Sequence, residues 1–218
     1  MGLTSFFCAK ICYNKTEGDN MFDYEKYIKE LIKIKEEEMD NYPENVDDFD
    51  EYEKPFVEKR SILNRNNKII FKHDLKDAWQ QPEDEFYILD SDKDNIVIIK
   101  HGKKYNYSIS KEDLESIKKL LSNSILYKNC DVVFPPVLDG TSHEIFISSG
   151  DNFREFECSN LWYWLEEEVN NDNNSIATDE DVEYTRELVN IFKKVQKILT
   201  DNNIIHNILD IEDDEEDE

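Results

Sequence analysis

Apolar positions recur at helical spacing over residues 21–39, where Tyr24, Tyr27, Ile28, Leu31, Ile32 and Met39 mark one face. Asp23 suits the positive end of that helix, and Pro43 predicts a stop just before it. From 66 to 110 the period changes to two. Strands are predicted over 68–71, 86–89, 96–100 and 105–109, with turns at 90–95 and 101–103. Ile96, Val97, Ile98 and Ile99 form a continuous apolar run, the mark of a buried strand. Ser110, followed by Glu112 and Asp113, caps a helix whose core face is Leu114, Ile117, Lys118, Leu121 and Ile125. A connection over 128–142 holds Pro135, Pro136 and Gly140. Strands over 143–147 and 153–158 follow, joined by a hairpin turn at 148–152. After a polar loop at 170–178, the clearest helix runs over 179–200, with Val182, Leu188, Ile191, Phe192, Val195, Ile198 and Leu199 on its inner face.

This order predicts an α+β fold, a mainly antiparallel sheet with helices packed on one face. At 218 residues the chain suits one domain, placed over 21–209 behind a leader at 1–20. Residues 40–54 hold seven acids against Lys54, with Tyr42, Phe49 and Tyr52 between them, bracketed by Pro43 and Pro55; they read as an acidic loop. Residues 210–218 hold eight acids in nine positions and are expected to be disordered.

Charge then narrows the chemistry. The formal net charge is −25. It argues against direct binding to nucleic acid or an anionic membrane, since phosphate contacts need Lys or Arg to displace counterions. It suits a basic protein partner. No apolar run is long enough to span a membrane. The start of the chain lacks the basic-then-apolar order of a signal peptide, because Lys10 follows its apolar stretch, so a cytoplasmic protein is expected. Cys8, Cys12, Cys130 and Cys158 form no Cys-x-x-Cys pair and read as reduced thiols.

No catalytic residue, cofactor or metal is assigned. Asp90, Asp92 and Asp94 imitate a calcium loop, but Asn95 stands where glycine is needed and His101 where a bidentate Glu is needed; a charged turn fits better. Cys8 and Cys12 would need two more zinc ligands, and the other Cys and the four His are scattered singly. Cys130 or Cys158 with His143 makes an imaginable nucleophile–base pair, without any local motif behind it. With 5 Gly in the chain, phosphate-cradling turns are scarce. A hydrolase or metal-dependent enzyme with an unrecognised site is the rival from another class.

The interface candidates are Tyr42, Asp47, Asp48, Phe49, Asp50, Glu51 and Tyr52 in the acidic stretch, and Trp162, Trp164, Glu166 and Glu167 in the densest aromatic cluster. Interleaved rings and carboxylates are what a basic, nucleic-acid-binding surface accepts, the carboxylates at phosphate positions and the rings at stacking positions. A helix beginning at Leu161 would bury Leu161, Leu165 and one Trp and leave the other exposed beside Glu166, Glu167 and Glu168.

Residues 137–160, with Leu138, Asp139 and Gly140, a strand, a turn around Gly150, a second strand and a following helix, resemble small bacterial α+β immunity proteins of toxin–immunity loci. The resemblance carries no catalytic residue across. It implies a non-enzymatic inhibitor of a basic nucleic-acid-processing protein, such as a nuclease toxin. A phage-encoded inhibitor of a host nuclease or defence complex, acting as a nucleic-acid mimic, is the alternative of the same class. The Asn-, Lys-, Ile- and Asp-rich composition fits an AT-rich bacterial or phage genome.

Overall fold

The computed structural model describes residues 22–42, 49–76, 82–100, 103–128, 142–159, 161 and 178–205. Among these lie helices α1 (Tyr24–Asp40), α2 (Phe49–Asn66), α3 (Lys111–Ser122) and α4 (Asp179–Asp201), and a 3-10 turn at Ile125–Tyr127. The strands are β1 (Ile69–Lys76), β2 (Pro82–Leu89), β3 (Ile96–Lys100), β4 (Lys103–Tyr107), β5 (Ser142–Ser149) and β6 (Asn152–Ser159). They form one sheet in the order β4-β3-β2-β1-β5-β6, antiparallel at every pairing. The α+β class and the mainly antiparallel sheet therefore hold.

Helices cover both faces of the sheet, which corrects the expectation of one. Phe71, Phe86, Ile88, Ile96, Ile98, Ile145 and Ile147 pack with Leu114, Ile117 and Leu121 of α3 and with Leu188, Ile191, Phe192, Val195 and Leu199 of α4. On the opposite face Ile69, Tyr87, Leu89, Val97, Ile99 and Phe146 pack with Tyr27 and Leu31 of α1 and Leu63 of α2. The apolar run of β3 explains this. Successive side chains of a strand point to opposite faces, so four consecutive buried residues need cover on both.

The second correction concerns 40–54. From Phe49 onward the chain is α2, which continues through Pro55. Phe56, Ser61, Leu63 and Asn64 are buried, and the Tyr27 hydroxyl donates to Asn64 Oδ1 at 2.7 Å, fastening α1 to α2. Burial of that inner face outweighs the proline, which removes a backbone donor from the helix.

Local signals hold elsewhere. Ser110 Oγ caps α3, accepting from the Asp113 amide at 3.0 Å. Thr178 and Asp181 form a reciprocal capping box on α4. Gly150, at φ +60°, makes the tight β5–β6 turn. The 90–95 stretch is a turn, in which Ser91 Oγ accepts from the Lys93 amide at 3.2 Å and Lys118 Nζ pairs with Asp90 at 2.5 Å.

Candidate protein-binding surface

The C-terminal part of α1 carries Glu36, Glu37, Glu38 and Asp40, with no basic residue in its last turn. Carboxylates there oppose the negative end of the helix dipole, so their placement costs stability. Across from them on α2, Lys59 Nζ meets Glu37 at 2.5 Å, and Arg60 meets Glu38 at 2.7 Å and Glu53 at 3.5 Å. Arg60 also reaches Glu155 of β6 at 3.5 Å. Burial alone would lower the Arg60 pKa, but Glu155, Glu38 and Glu53 more than offset it, and the guanidinium is held above its usual range.

Two large side chains stand out of this acidic edge: Met39 is 76 % exposed and Tyr42 is 59 % exposed. The Tyr42 ring lies 5.5 Å from Tyr52, edge to face, and the Tyr52 ring lies 5.6 Å from Phe56. The Tyr52 hydroxyl donates to the Glu38 backbone carbonyl, and Lys59 sits 5.0 Å above the Phe56 ring. An aromatic stack thus ties the end of α1 to the first turns of α2.

Of the residues singled out in the sequence, Tyr42 and Tyr52 are brought together here. Phe49, Asp50 and Glu51 begin α2. Asp47, Asp48, Trp162, Trp164, Glu166 and Glu167 lie outside the described residues, as do the leader, the tail, Cys8, Cys12 and Cys130. Leu161, next to the Trp cluster, is fully buried, as expected. Sequence reasoning missed Glu36, Glu37, Glu38 and Asp40 as site residues. The signal was there: three consecutive glutamates at the wrong end of a predicted helix.

Two buried polar groupings lie on opposite faces of β1. Toward α1, Lys72 pairs with Asp74. Burial pushes the Asp74 carboxyl up, Lys72 opposes this, Glu85 and Glu144 add to it, and the result is about 7. Lys72 is itself lowered by burial but raised by Asp74, Tyr27, Glu85 and Glu144, and is held well above its usual range. Toward α4, His73 Nε2 and His143 Nδ1 share a hydrogen bond at 2.9 Å, stacked beside Phe86 and Phe192. Burial lowers both imidazoles, His143 to about 4.

Cys158 does lie opposite His143 in the β5–β6 register. Its thiol donates to the His143 backbone carbonyl at 3.6 Å, and burial pushes its pKa up. It is a packed core thiol, without the depressed pKa of a nucleophile. Among the described residues no three Cys, His, Asp or Glu side chains converge to hold a metal ion, and no helix is long and apolar enough to cross a membrane. No protein-family model and no curated protein matches the chain.

Proposed function

We propose that the protein is a non-enzymatic inhibitor that binds a basic, nucleic-acid-processing protein through the α1–α2 acidic edge, as an immunity protein does with a nuclease toxin. The observation that carries this reading is the edge itself. Glu36, Glu37, Glu38 and Asp40 are stacked against the helix dipole, and two large side chains, Met39 and Tyr42, project from among them. A helix built only for stability would carry Lys or Arg in its last turn. The exposed carboxylates Glu36, Glu37 and Asp40 around an exposed anchor instead match a cationic groove, occupying the positions of phosphates while Tyr42 and Met39 fill apolar or stacking pockets. The net charge of −25 adds long-range attraction to the same kind of partner.

Capture with the full-length chain from its source cell tests this. The expected result is a stoichiometric basic partner that binds nucleic acid, and whose nucleic-acid binding or cleavage stops when the chain is added. Met39→Ala with Tyr42→Ala should weaken capture by about 2 kcal/mol or more while leaving the fold intact. Absence of such a partner, or a partner whose activity is untouched, sinks the reading.

A further inference from the structure

Positive charge gathers between α3 and α4. Residues 116–130 and 188–200 carry six Lys and no Asp or Glu, in a chain of net charge −25. The fold sets their helical parts side by side, on the sheet face away from α1 and α2. Asn202, at the end of α4, donates through Nδ2 to Asp113 at the start of α3 at 3.2 Å. Between the two helices lies a groove of about 500 Å³. Leu120 and Ile198 give it an apolar lining, and Lys119, Lys194 and Lys197 stand exposed along it. Glu187 and Asp201 are the acids in the lining, and Lys197 pairs with Asp201 at 2.8 Å. Lys119 and Lys194 engage no carboxylate among the described residues.

The chain carries a complementary segment beside this groove. α4 ends at Asp201, and Asn203, at φ +55°, turns the chain while the Ile204 amide donates to the Leu199 carbonyl at 3.0 Å. Ile204 and Ile205 pack against the core that α3 and α4 share. Residues 206–218 follow and hold eight acids, with Leu209 and Ile211 ahead of most of them. Fully extended they reach about 43 Å, whereas the α4 side of the groove, from Asp201 to Glu187, is about 21 Å long. An extended segment puts Leu209 and Ile211 on one side. By itself this sequence has too little apolar surface to fold. The groove offers what it lacks, an apolar contact and cations.

We propose that the α3–α4 groove is the docking site of the chain's own acidic C-terminal segment, 206–218, with Leu209 and Ile211 against Leu120 and Ile198 and the acids over Lys119, Lys194 and Lys197. The contact neutralises the groove and holds the tail on the face opposite the α1–α2 edge, clear of a partner bound there. Exposed ion pairs add little to folding stability, so docking changes the tail's surroundings rather than the melting temperature. It stands independently of the inhibitor reading.

NMR of the full-length chain tests this, with a synthetic peptide of residues 206–218 as the reference for an undocked tail. At about 0.01 M ionic strength the amide signals of 210–218 should be displaced from those of the free peptide. At about 1 M, where the screening length is about 3 Å, they should coincide with them. Lys119→Glu, Lys194→Glu and Lys197→Glu together should bring the same coincidence at low salt, and the Ile211 methyl groups should lose their contacts with Leu120 and Ile198. These lysines are exposed, so the fold should tolerate the change, and the salt series needs no substitution at all. Lys29→Glu, Lys33→Glu and Lys35→Glu on α1 make an equal change of charge at exposed positions and should leave the tail signals displaced. Tail signals that match the free peptide in the wild type at low salt overturn the proposal, as does an equal response to the two triple substitutions. A displacement that grows over an about tenfold rise in protein concentration gives the groove to the tail of a second copy and overturns docking within one chain.

Discussion

His73 and Asp74 are neighbours on β1, point to opposite faces, and respond to acid in opposite senses. The folded chain keeps the His73–His143 pair neutral, with His143 near 4 against an ordinary 6.5. Between those values the unfolded chain binds protons that the folded one refuses. The pair's contribution is therefore complete above 6.5 and shrinks as pH falls toward 4. The Asp74 carboxyl is raised to about 7 against an ordinary 3.8. Its contribution is complete below 3.8 and is lost as pH rises through 7. Over the shared window the two offset each other. Measured against wild type by denaturant unfolding, His143→Gln should gain stability on acidification from pH 6.5 to 4, and Asp74→Asn should lose it. Parallel curves for all three proteins would show that neither site titrates in this window. Lys72→Met tests the cation on the same face. It strands Asp74 between Glu85 and Glu144 and should cost about 3–5 kcal/mol at pH 8, as breaking a buried pair does. The loss should be smaller at pH 5, where the folded chain takes up a proton at Asp74. An equal loss at both values would place the effect in packing instead.

At the scale of elements, α1 ends in carboxylates that its dipole disfavours, and this separates stability from binding. Asp40→Lys should stabilise the fold by about 0.3–1 kcal/mol and weaken partner capture. A variant that loses both stability and capture would show that Asp40 supports the structure rather than the interface. Elements of this kind were legible in the chain. α1, α3 and α4 follow from periodicity because each has one apolar stripe, and Asp23 and Ser110 mark the starts of α1 and α3, whereas Thr178, the cap of α4, sits at the end of the stretch that reads as a polar loop. α2 was hidden. Its buried Phe56, Leu63 and Asn64 are set among Glu, Lys and Arg, and Pro55 mimics a boundary. β1 and β2 were read short for a related reason. Their extensions bury Lys72, His73 and Asp74 in the sheet, with Glu85 opposite Asp74, residues that resemble loop until strands from elsewhere in the chain supply their neighbours. The placement of Asp74 between Glu85 and Glu144 was illegible for the same cause, since no local window contains the three together. Tyr42 and Tyr52 were visible as candidates because the acidic stretch is contiguous. Glu36 to Asp40 stand out only against the helix dipole, because charge on the outer face of an amphipathic helix is otherwise ordinary.

At the scale of the whole molecule, net charge and local anchors should act on different steps of association. A charge of −25 produces a field that reaches well beyond any contact at low salt, where the screening length is about 30 Å at 0.01 M against about 8 Å at 0.15 M. Oppositely charged partners are then steered together, and the association rate rises. Met39 and Tyr42 are short-range groups, felt only after contact, so they belong to the dissociation rate. Stopped-flow mixing with the captured basic partner should show an association rate that falls steeply between 0.01 and 0.15 M ionic strength, with a dissociation rate that changes little. Removing residues after Leu209 deletes eight carboxylates and only Ile211 as an apolar group. That cut should lower the association rate modestly and leave the melting temperature and the dissociation rate where they are. Met39→Ala with Tyr42→Ala should do the reverse, raising the dissociation rate without touching the salt slope. A salt-independent association rate would remove electrostatic steering from the account. A dissociation rate untouched by the double substitution would move the anchor away from the α1–α2 edge, with the Trp162–Trp164 cluster the next place to test by single alanine substitutions.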